Sequence, residues 1–181
     1  MTDTPGTPET AEELPELSEE HRRLRDDLLA KAEEYGMAVV EVARDDEGAP
    51  YSFSVGAWHR YRVPEAVVIG MPAGLAARML HAYLDRALDG ETMVLGRVYE
   101  DFYDGVPVVF ERVARGHYFE YFGSAFLLYR RGDFSALQLL VPTSDGIWPW
   151  SPDAPAGFAA WQPVLTPSGD PESWTPGLDG P

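Results

Sequence analysis

The segment AWHRYRVPE contains the groups of this chain best suited to acid–base chemistry or to anion binding. His59 and Arg62 follow a predicted strand, and loops at strand ends often carry functional residues. Glu65 enters a strongly apolar stretch, where partial burial would raise its pKa and suit a general acid or base. Two alternatives remain open. The loop is exposed and its arginines and glutamate pair locally, or Glu65 accepts hydrogen bonds from the backbone amides of a neighbouring turn.

Two further segments combine aromatic rings with polar side chains. His117 opens HYFEYFGSAFLLYRR, whose rings would either line a pocket for a flat ligand or belong to the core. VPTSDGIWPW carries Asp145 in an Asp-Gly turn, then Trp148 and Trp150 on either side of a restrictive proline. The tryptophans would either stack on a ligand ring, with Asp145 as acceptor, or close the open end of a sheet. Closure of the sheet is the favoured interpretation for Trp150, whereas both interpretations remain open for Trp148.

The elements that must position these groups do not follow a strict βαβ alternation, which indicates an α+β fold. We expect an antiparallel or mixed β-sheet with about three helices packed mainly on one face. A hairpin is predicted over 37–57, and a central strand buried on both faces over 66–71. The predicted helices are 18–36, 73–88 and 117–131, and the remaining predicted strands are 106–113 and 134–142.

The chain divides into a disordered acidic segment at 1–16, a single globular α+β domain at 17–165, and a mobile Pro/Gly-rich tail at 166–181. The acidic start is not typical of a signal peptide, no run of about 18 apolar residues occurs, and there is no cysteine. The four histidines show no pair at helical spacing. We therefore expect a soluble cytoplasmic protein without metal or cofactor.

The net charge of −16 comes mainly from the two ends of the chain. Residues 1–20 carry seven acidic residues and residues 151–181 carry four, and neither range contains Lys or Arg. Because no basic cluster offsets this charge, the phosphate backbone of a nucleic acid would be repelled. The composition favours a basic protein partner or an unidentified small molecule, and neither nucleic acid nor membrane.

Several separated motifs resemble a bacterial family, domain-of-unknown-function family 4262, over about residues 33–165. The quoted stretches are YGMAVVEVARDDEGAPYSFSVGAWHRYRVPEAVVIGMP and ALQLLVPTSDGIWPW. The matching positions are Tyr35-Gly36, Ser54-Val55-Gly56, Pro64-Glu65, Gly70, Gln138, Pro142, Gly146 and Pro149-Trp150. Met37, Ala57 and Thr143 depart from the pattern. The resemblance implies a compact cytoplasmic bacterial domain and implies no reaction.

Two hypotheses about function follow from the sequence. The first is a non-catalytic binding or interaction protein of the immunity type, whose acidic surface suits a basic partner. The second is a small enzyme or small-molecule binder with a pocket between the His59–Glu65 loop and the Asp145–Trp150 loop. The second hypothesis requires both loops to lie at the same end of the sheet.

Overall fold

The computed structural model describes residues 14–172. Its strands are β1 (Ala38–Val42), β2 (Tyr51–Val55), β3 (Glu65–Ile69), β4 (Val98–Tyr103), β5 (Val106–Arg112) and β6 (Ala136–Leu140). Its α-helices are α1 (Glu19–Tyr35), α2 (Ala57–Tyr61), α3 (Ala73–Leu88), α4 (Tyr118–Tyr121) and α5 (Phe158–Trp161). Two 3-10 turns, Arg115–His117 and Gly123–Leu127, flank α4.

The six strands form one mixed sheet in the order β1-β2-β3-β6-β5-β4. β1 and β2 form the predicted antiparallel hairpin, and β2 continues antiparallel to β3. β3 and β6 pair in parallel at the centre, and all their residues are buried. β5 then pairs antiparallel with β6 and with β4. The α+β class, the hairpin and the central strand are confirmed.

Both faces of β3 are apolar, so helices cover both faces of the sheet rather than mainly one. Ala66 and Val68 pack in a cluster with the buried side of α3. Val67 and Ile69 pack in a second cluster with α1 and with buried aromatic residues of the range 118–134. Side chains alternate along a strand, so the apolar run Ala66–Ile69 needs an apolar cover on each side.

The aromatic segment 117–131 is not the single helix that the sequence predicted. α4 ends at Tyr121 because Phe122 leaves the helical region, with φ −130° and ψ 31°, and a 3-10 turn follows. Phe122, Ala125 and Tyr129 are all buried in the core. Packing aromatic rings against the sheet here outweighs the weak preference of these residues for a continuous helix.

Two other elements differ from the sequence-based assignment. The predicted polar loop 59–65 begins inside helix α2, which Gly56 precedes in a left-handed conformation. Strand β4 was missed, although it ends at the same Asp104-Gly105 turn that begins β5. Both turn residues have positive φ, of 50° and 76°, which is the signature of a tight hairpin.

The predicted disordered segment and mobile tail lie largely outside the described residues, which exclude 1–13 and 173–181. Between these limits Thr166 is buried, and its hydroxyl donates to the carbonyl of Asp170. Among the described residues, no helix combines the length and apolar content that spanning a membrane requires.

Candidate functional site

Glu65 is fully buried at the start of β3, and its carboxylate accepts four hydrogen bonds. Its Oε2 accepts from the Ser54 hydroxyl at 2.5 Å. Its Oε1 accepts from the backbone N–H of Gly56 at 2.8 Å and of Trp58 at 3.1 Å, and from the Tyr129 hydroxyl at 2.5 Å. We call these five residues the Glu65 latch. It joins β2, the start of α2, β3 and the chain before β6.

The hydroxyls of the latch also accept hydrogen bonds from the backbone. Ser54 Oγ accepts from Ala66 N–H at 2.9 Å, and Tyr129 Oη accepts from His59 N–H at 3.1 Å. This geometry matches the alternative in which Glu65 bonds to the amides of a neighbouring turn. A fully buried carboxylate with four donors is not presented to a ligand, so the latch positions other groups.

Burial determines the ionisation of the latch. It raises the pKa of Glu65, while the hydrogen bonds from Ser54, Tyr129, Trp58 and Gly56 oppose the rise. Burial also raises the pKa of the Tyr129 phenol well above its usual range, and the charge of Glu65 adds to the effect. The phenol therefore remains a proton donor at neutral pH.

His59 and Arg62 are exposed on the outer side of α2 and at its end. The backbone N–H of His59 donates to the Tyr129 hydroxyl of the latch, whereas the residue itself is exposed. Arg62 has a left-handed backbone, with φ 60°, and its guanidinium lies 5.5 Å from the centre of the Trp58 ring. The three residues predicted as one cluster are therefore split by burial, with only Glu65 inside.

The two loops predicted to enclose one pocket lie at opposite ends of the sheet. The His59–Glu65 segment precedes β3, whereas the Asp145–Trp150 loop follows β6. β3 and β6 are parallel, with Glu65 opposite Ala136, so the start of β3 and the end of β6 are at opposite ends. The predicted pocket between these loops is wrong, because the parallel pairing separates them.

Trp148 and Trp150 stack on each other with ring centres 5.1 Å apart and planes at 14°. Both pack against a small apolar cluster that includes Val109 of β5 and Leu140 of β6. Asp145 is exposed at the tip of the preceding turn. The tryptophans pack against β5 and β6, and closure of the sheet by Trp150 stays a prediction.

A cavity of about 200 Å³ lies at the C-terminal end of β3. Its walls combine three aromatic side chains with three carboxylates, and we call it the acidic–aromatic pocket. These residues are Tyr51, Tyr121, Trp161, Asp45, Glu47 and Glu120. They come from the β1–β2 turn, the start of β2, α4 and α5.

The carboxylates of this pocket raise the pKa values of its two tyrosines. Burial raises the pKa of Tyr51, and the charges of Glu120 and Asp45 raise it further. Burial and Glu120 together raise the pKa of Tyr121 to about 12. The two rings meet edge to face at 5.2 Å, and the Tyr51 hydroxyl donates to the Glu120 carbonyl at 3.0 Å. Negative charge thus concentrates around protonated, hydrogen-bonded rings.

Trp161 forms the third aromatic wall because Gly70 allows its close approach. The indole N–H donates to the Gly70 carbonyl at 3.0 Å. Gly70 has φ 81°, and a Cβ there would lie 2.7 Å from the indole ring. The Arg44 guanidinium lies 5.1 Å from the Trp161 ring centre, which is a cation–π distance. The chain therefore already holds one guanidinium on a wall beside the pocket.

Of the predicted site residues, His117 lies next to this pocket. Its Nδ1 is 3.9 Å from the Glu120 carboxylate, and its ring is 6.3 Å from that of Tyr121. Asp45 fixes the acidic turn, since its carboxylate accepts from the N–H groups of Glu47 and Gly48. Within residues 14–172, no group of three or more His, Asp or Glu side chains is arranged to hold a metal ion.

The acidic–aromatic pocket was missed because its residues are far apart in sequence. The acidic turn DDEG and the ring of Tyr51 are adjacent in the hairpin, and this was the available signal. Nothing in the sequence places Glu120 or Trp161 against that turn. The contact depends on how the aromatic segment and α5 pack on the sheet.

A protein-family model described as Domain of unknown function (DUF4262) matches residues 31–155. The match covers more than half of the chain, so the protein belongs to that family, as its motifs indicated. No curated protein and no solved structure matches the chain. The family description assigns neither a reaction nor a ligand, and the chemistry must be argued from the residues.

Proposed function

We propose that this member of the DUF4262 family is a non-catalytic binding protein whose acidic–aromatic pocket receives a lysine or arginine side chain of a basic protein partner. The observation that carries the proposal is the convergence of three carboxylates and three aromatic rings on one cavity. Carboxylates attract a cation over distance, and aromatic faces bind it at contact. The three carboxylates concentrate negative charge at one cavity, where a cation would bind.

The size of the pocket favours a side chain over a free ligand. Its volume of about 200 Å³ is below the roughly 300–1,000 Å³ typical of small-molecule sites. An extended lysine or arginine side chain would enter alongside the contacting rings of Tyr51 and Tyr121 while the partner's backbone stays outside. The exposed carboxylates of Asp45 and Glu47 would steer the approach of a basic surface and fix its orientation.

The Arg44 guanidinium supports the proposal, and it would also compete with a partner's cation for the Trp161 ring. Its guanidinium over Trp161 shows that this ring accepts a cation. The same guanidinium lowers the negative potential of the pocket, so a partner must outcompete it or bind beside it. The immunity-like role expected from the sequence is the form of this proposal in which occupation by the domain neutralises the partner.

The proposal is tested by fluorescence anisotropy with a fluorescein-labelled hexa-arginine peptide at low and moderate salt. Glu120→Gln removes a pocket charge, and Trp161→Leu removes a ring without changing charge. Each lost contact of about 1 kcal/mol weakens binding about fivefold. Glu100→Gln is the matched control, because Glu100 is an exposed acid on β4 outside the pocket.

We expect weaker binding for both pocket variants and unchanged binding for Glu100→Gln. The Trp161→Leu result is decisive, since non-specific attraction to an acidic protein does not depend on an indole ring. If Glu120→Gln and Glu100→Gln weaken binding equally and Trp161→Leu has no effect, the pocket is not the binding site.

A further inference from the structure

A second concave region lies at the opposite end of the sheet, where β3 and β6 begin. Two neighbouring cavities of about 360 and 350 Å³ lie there and share Pro64, Arg112 and Leu137 as walls. The first extends toward Arg62 and the second toward Arg115, on the two faces of the sheet. We call these two cavities together the arginine groove.

The groove gathers positive charge in a chain that carries −16 overall. Arg62, Arg112 and Arg115 take part in none of the salt bridges found within residues 14–172. Arg115 donates to the Gly132 carbonyl at 2.7 Å, which fixes its guanidinium without neutralising it. The acidic residue in these walls is Glu91, whose carboxylate lies 3.7 Å from Arg86.

Arg112 and Arg115 act on the same part of the groove. Both lower the pKa of the Tyr118 phenol, against the larger effect of burial, which raises it. Arg115 also lies over the Tyr118 ring, 5.7 Å from its centre. Ser135 and the two guanidinium groups therefore offer several hydrogen-bond donors at one site, whereas the Tyr118 hydroxyl donates to the Phe134 carbonyl at 3.3 Å.

The remaining walls are apolar and held in place. Val63, Pro64, Met93 and Leu137 line the larger cavity. The Pro64 carbonyl accepts from the Tyr83 hydroxyl at 3.0 Å, and the next residue belongs to the buried Glu65 latch. The groove therefore has a preformed apolar floor beside its charged groups.

The backbone of Arg62 fixes where its side chain begins. Arg62 is the C-cap of α2, with φ 60° in the left-handed region, and its N–H donates to the Trp58 carbonyl at 3.1 Å. From this position the side chain lines the first cavity.

We infer that the arginine groove binds a small amphipathic anion, with a carboxylate or phosphate head near Arg112 and an apolar body on the floor formed by Pro64 and Leu137. Arginine forks bind both head groups in bidentate fashion. The two volumes exceed what a bare anion fills, so the apolar body belongs to the ligand. A nucleic acid does not fit, because the overall charge repels a polyanion. This site is independent of the basic-partner proposal.

Isothermal titration calorimetry of the full chain tests the inference with octyl phosphate, octanoate, inorganic phosphate and octanol. We expect octyl phosphate or octanoate to bind at least tenfold more tightly than inorganic phosphate and than octanol. The tighter of the two amphiphiles identifies the head group. If octanol matches them, the groove is merely apolar; if inorganic phosphate matches octyl phosphate, the apolar body has no role. Either result overturns the inference.

Variants locate the binding. Arg112→Gln, at a wall residue that both cavities share, should weaken amphiphile binding at least tenfold. Arg112→Lys keeps the positive charge but loses the bidentate guanidinium. Its affinity for the amphiphile should lie between that of the wild type and that of Arg112→Gln. Arg78→Gln is the matched control, an exposed arginine on α3 that lines neither cavity, and it should bind like the wild type. Equal binding by Arg112→Gln and Arg78→Gln overturns the inference. The exposed position of Arg112 keeps both variants folded, which circular dichroism verifies.

Discussion

Replacing Glu65 by alanine should destabilise the fold severely, because the latch would lose its only carboxylate. The change leaves four donors without their acceptor, namely Ser54, Gly56, Trp58 and Tyr129. Each buried donor left unsatisfied costs about 1–3 kcal/mol. Water entering the vacated space and the removal of a buried charge offset part of this cost. We therefore expect a loss of about 3–5 kcal/mol, the range for breaking a buried charged network.

Glu65→Gln separates the charge from the geometry of the latch. The glutamine oxygen can still accept from Gly56, Trp58 and Tyr129, while its NH₂ group faces Ser54 Oγ. One hydrogen bond is rearranged, so the expected cost is about 1–2 kcal/mol. Urea unfolding followed by tryptophan fluorescence measures both variants against the wild type. A loss below about 1 kcal/mol for the alanine variant would refute the assignment of Glu65 as a structural latch.

The difference in unfolding free energy between wild type and Glu65→Gln should also depend on pH, and its sign can be worked out. Burial raises the pKa of Glu65 in the folded state, so its stabilising contribution is full below the unfolded pKa of about 4.3. This contribution is lost as pH rises through the folded pKa. The advantage of wild type over Glu65→Gln should therefore shrink from pH 5 to pH 8, a range above the sequence pI of about 4.4. A growing advantage would mean that the four hydrogen bonds outweigh burial.

Three further predictions address the two cavities. Arg44→Ala should tighten hexa-arginine binding about two- to fivefold by removing the internal cation over Trp161, measured by anisotropy. Arg62→Gly should weaken octyl phosphate binding in calorimetry without lowering the urea midpoint, because glycine relieves the left-handed strain. Gly70→Ala should lower the free energy of unfolding more than Gly90→Ala, since both have positive φ but only Gly70 touches Trp161; equal losses would mean that strain alone matters.

The sequence predicted the elements whose pattern is local. The apolar run after Glu65 indicated a strand buried on both faces, and β3 is one. The helix predicted over 18–36 is α1, with Ser18 as its N-cap and Gly36 as its C-cap. The hairpin predicted over 37–57 is β1 and β2, and within β2 Ser52 and Ser54 are buried. Ser54 faces inward because it donates to Glu65, a partner that strand periodicity cannot indicate.

The sequence could not predict which segments meet at each end of the sheet. The parallel pairing of β3 with β6 joins strands separated by about 70 residues, and it alone decides that the Asp145 and His59 loops face away from each other. Each cavity likewise combines three or more distant segments. A non-local pairing of this kind leaves no periodic signal in a single sequence.

The motifs that identify the family describe its frame rather than its ligand. Ser54, Gly56 and Glu65 belong to the latch, and Gly70 allows the approach of Trp161. Gln138 donates to the Pro163 carbonyl and accepts from the Leu165 N–H, which ties the chain after α5 to the sheet.

Apart from Pro64, the groups proposed to recognise ligands lie outside the motif positions that match the family. Glu120 and Trp161 line one cavity, and Arg112 and Arg115 line the other. Since the two cavities differ in charge and lie at opposite ends of β3, each can be removed by substitution without touching the latch. A variant that lost both binding activities while keeping its unfolding free energy would show that frame and recognition are physically separate in this protein.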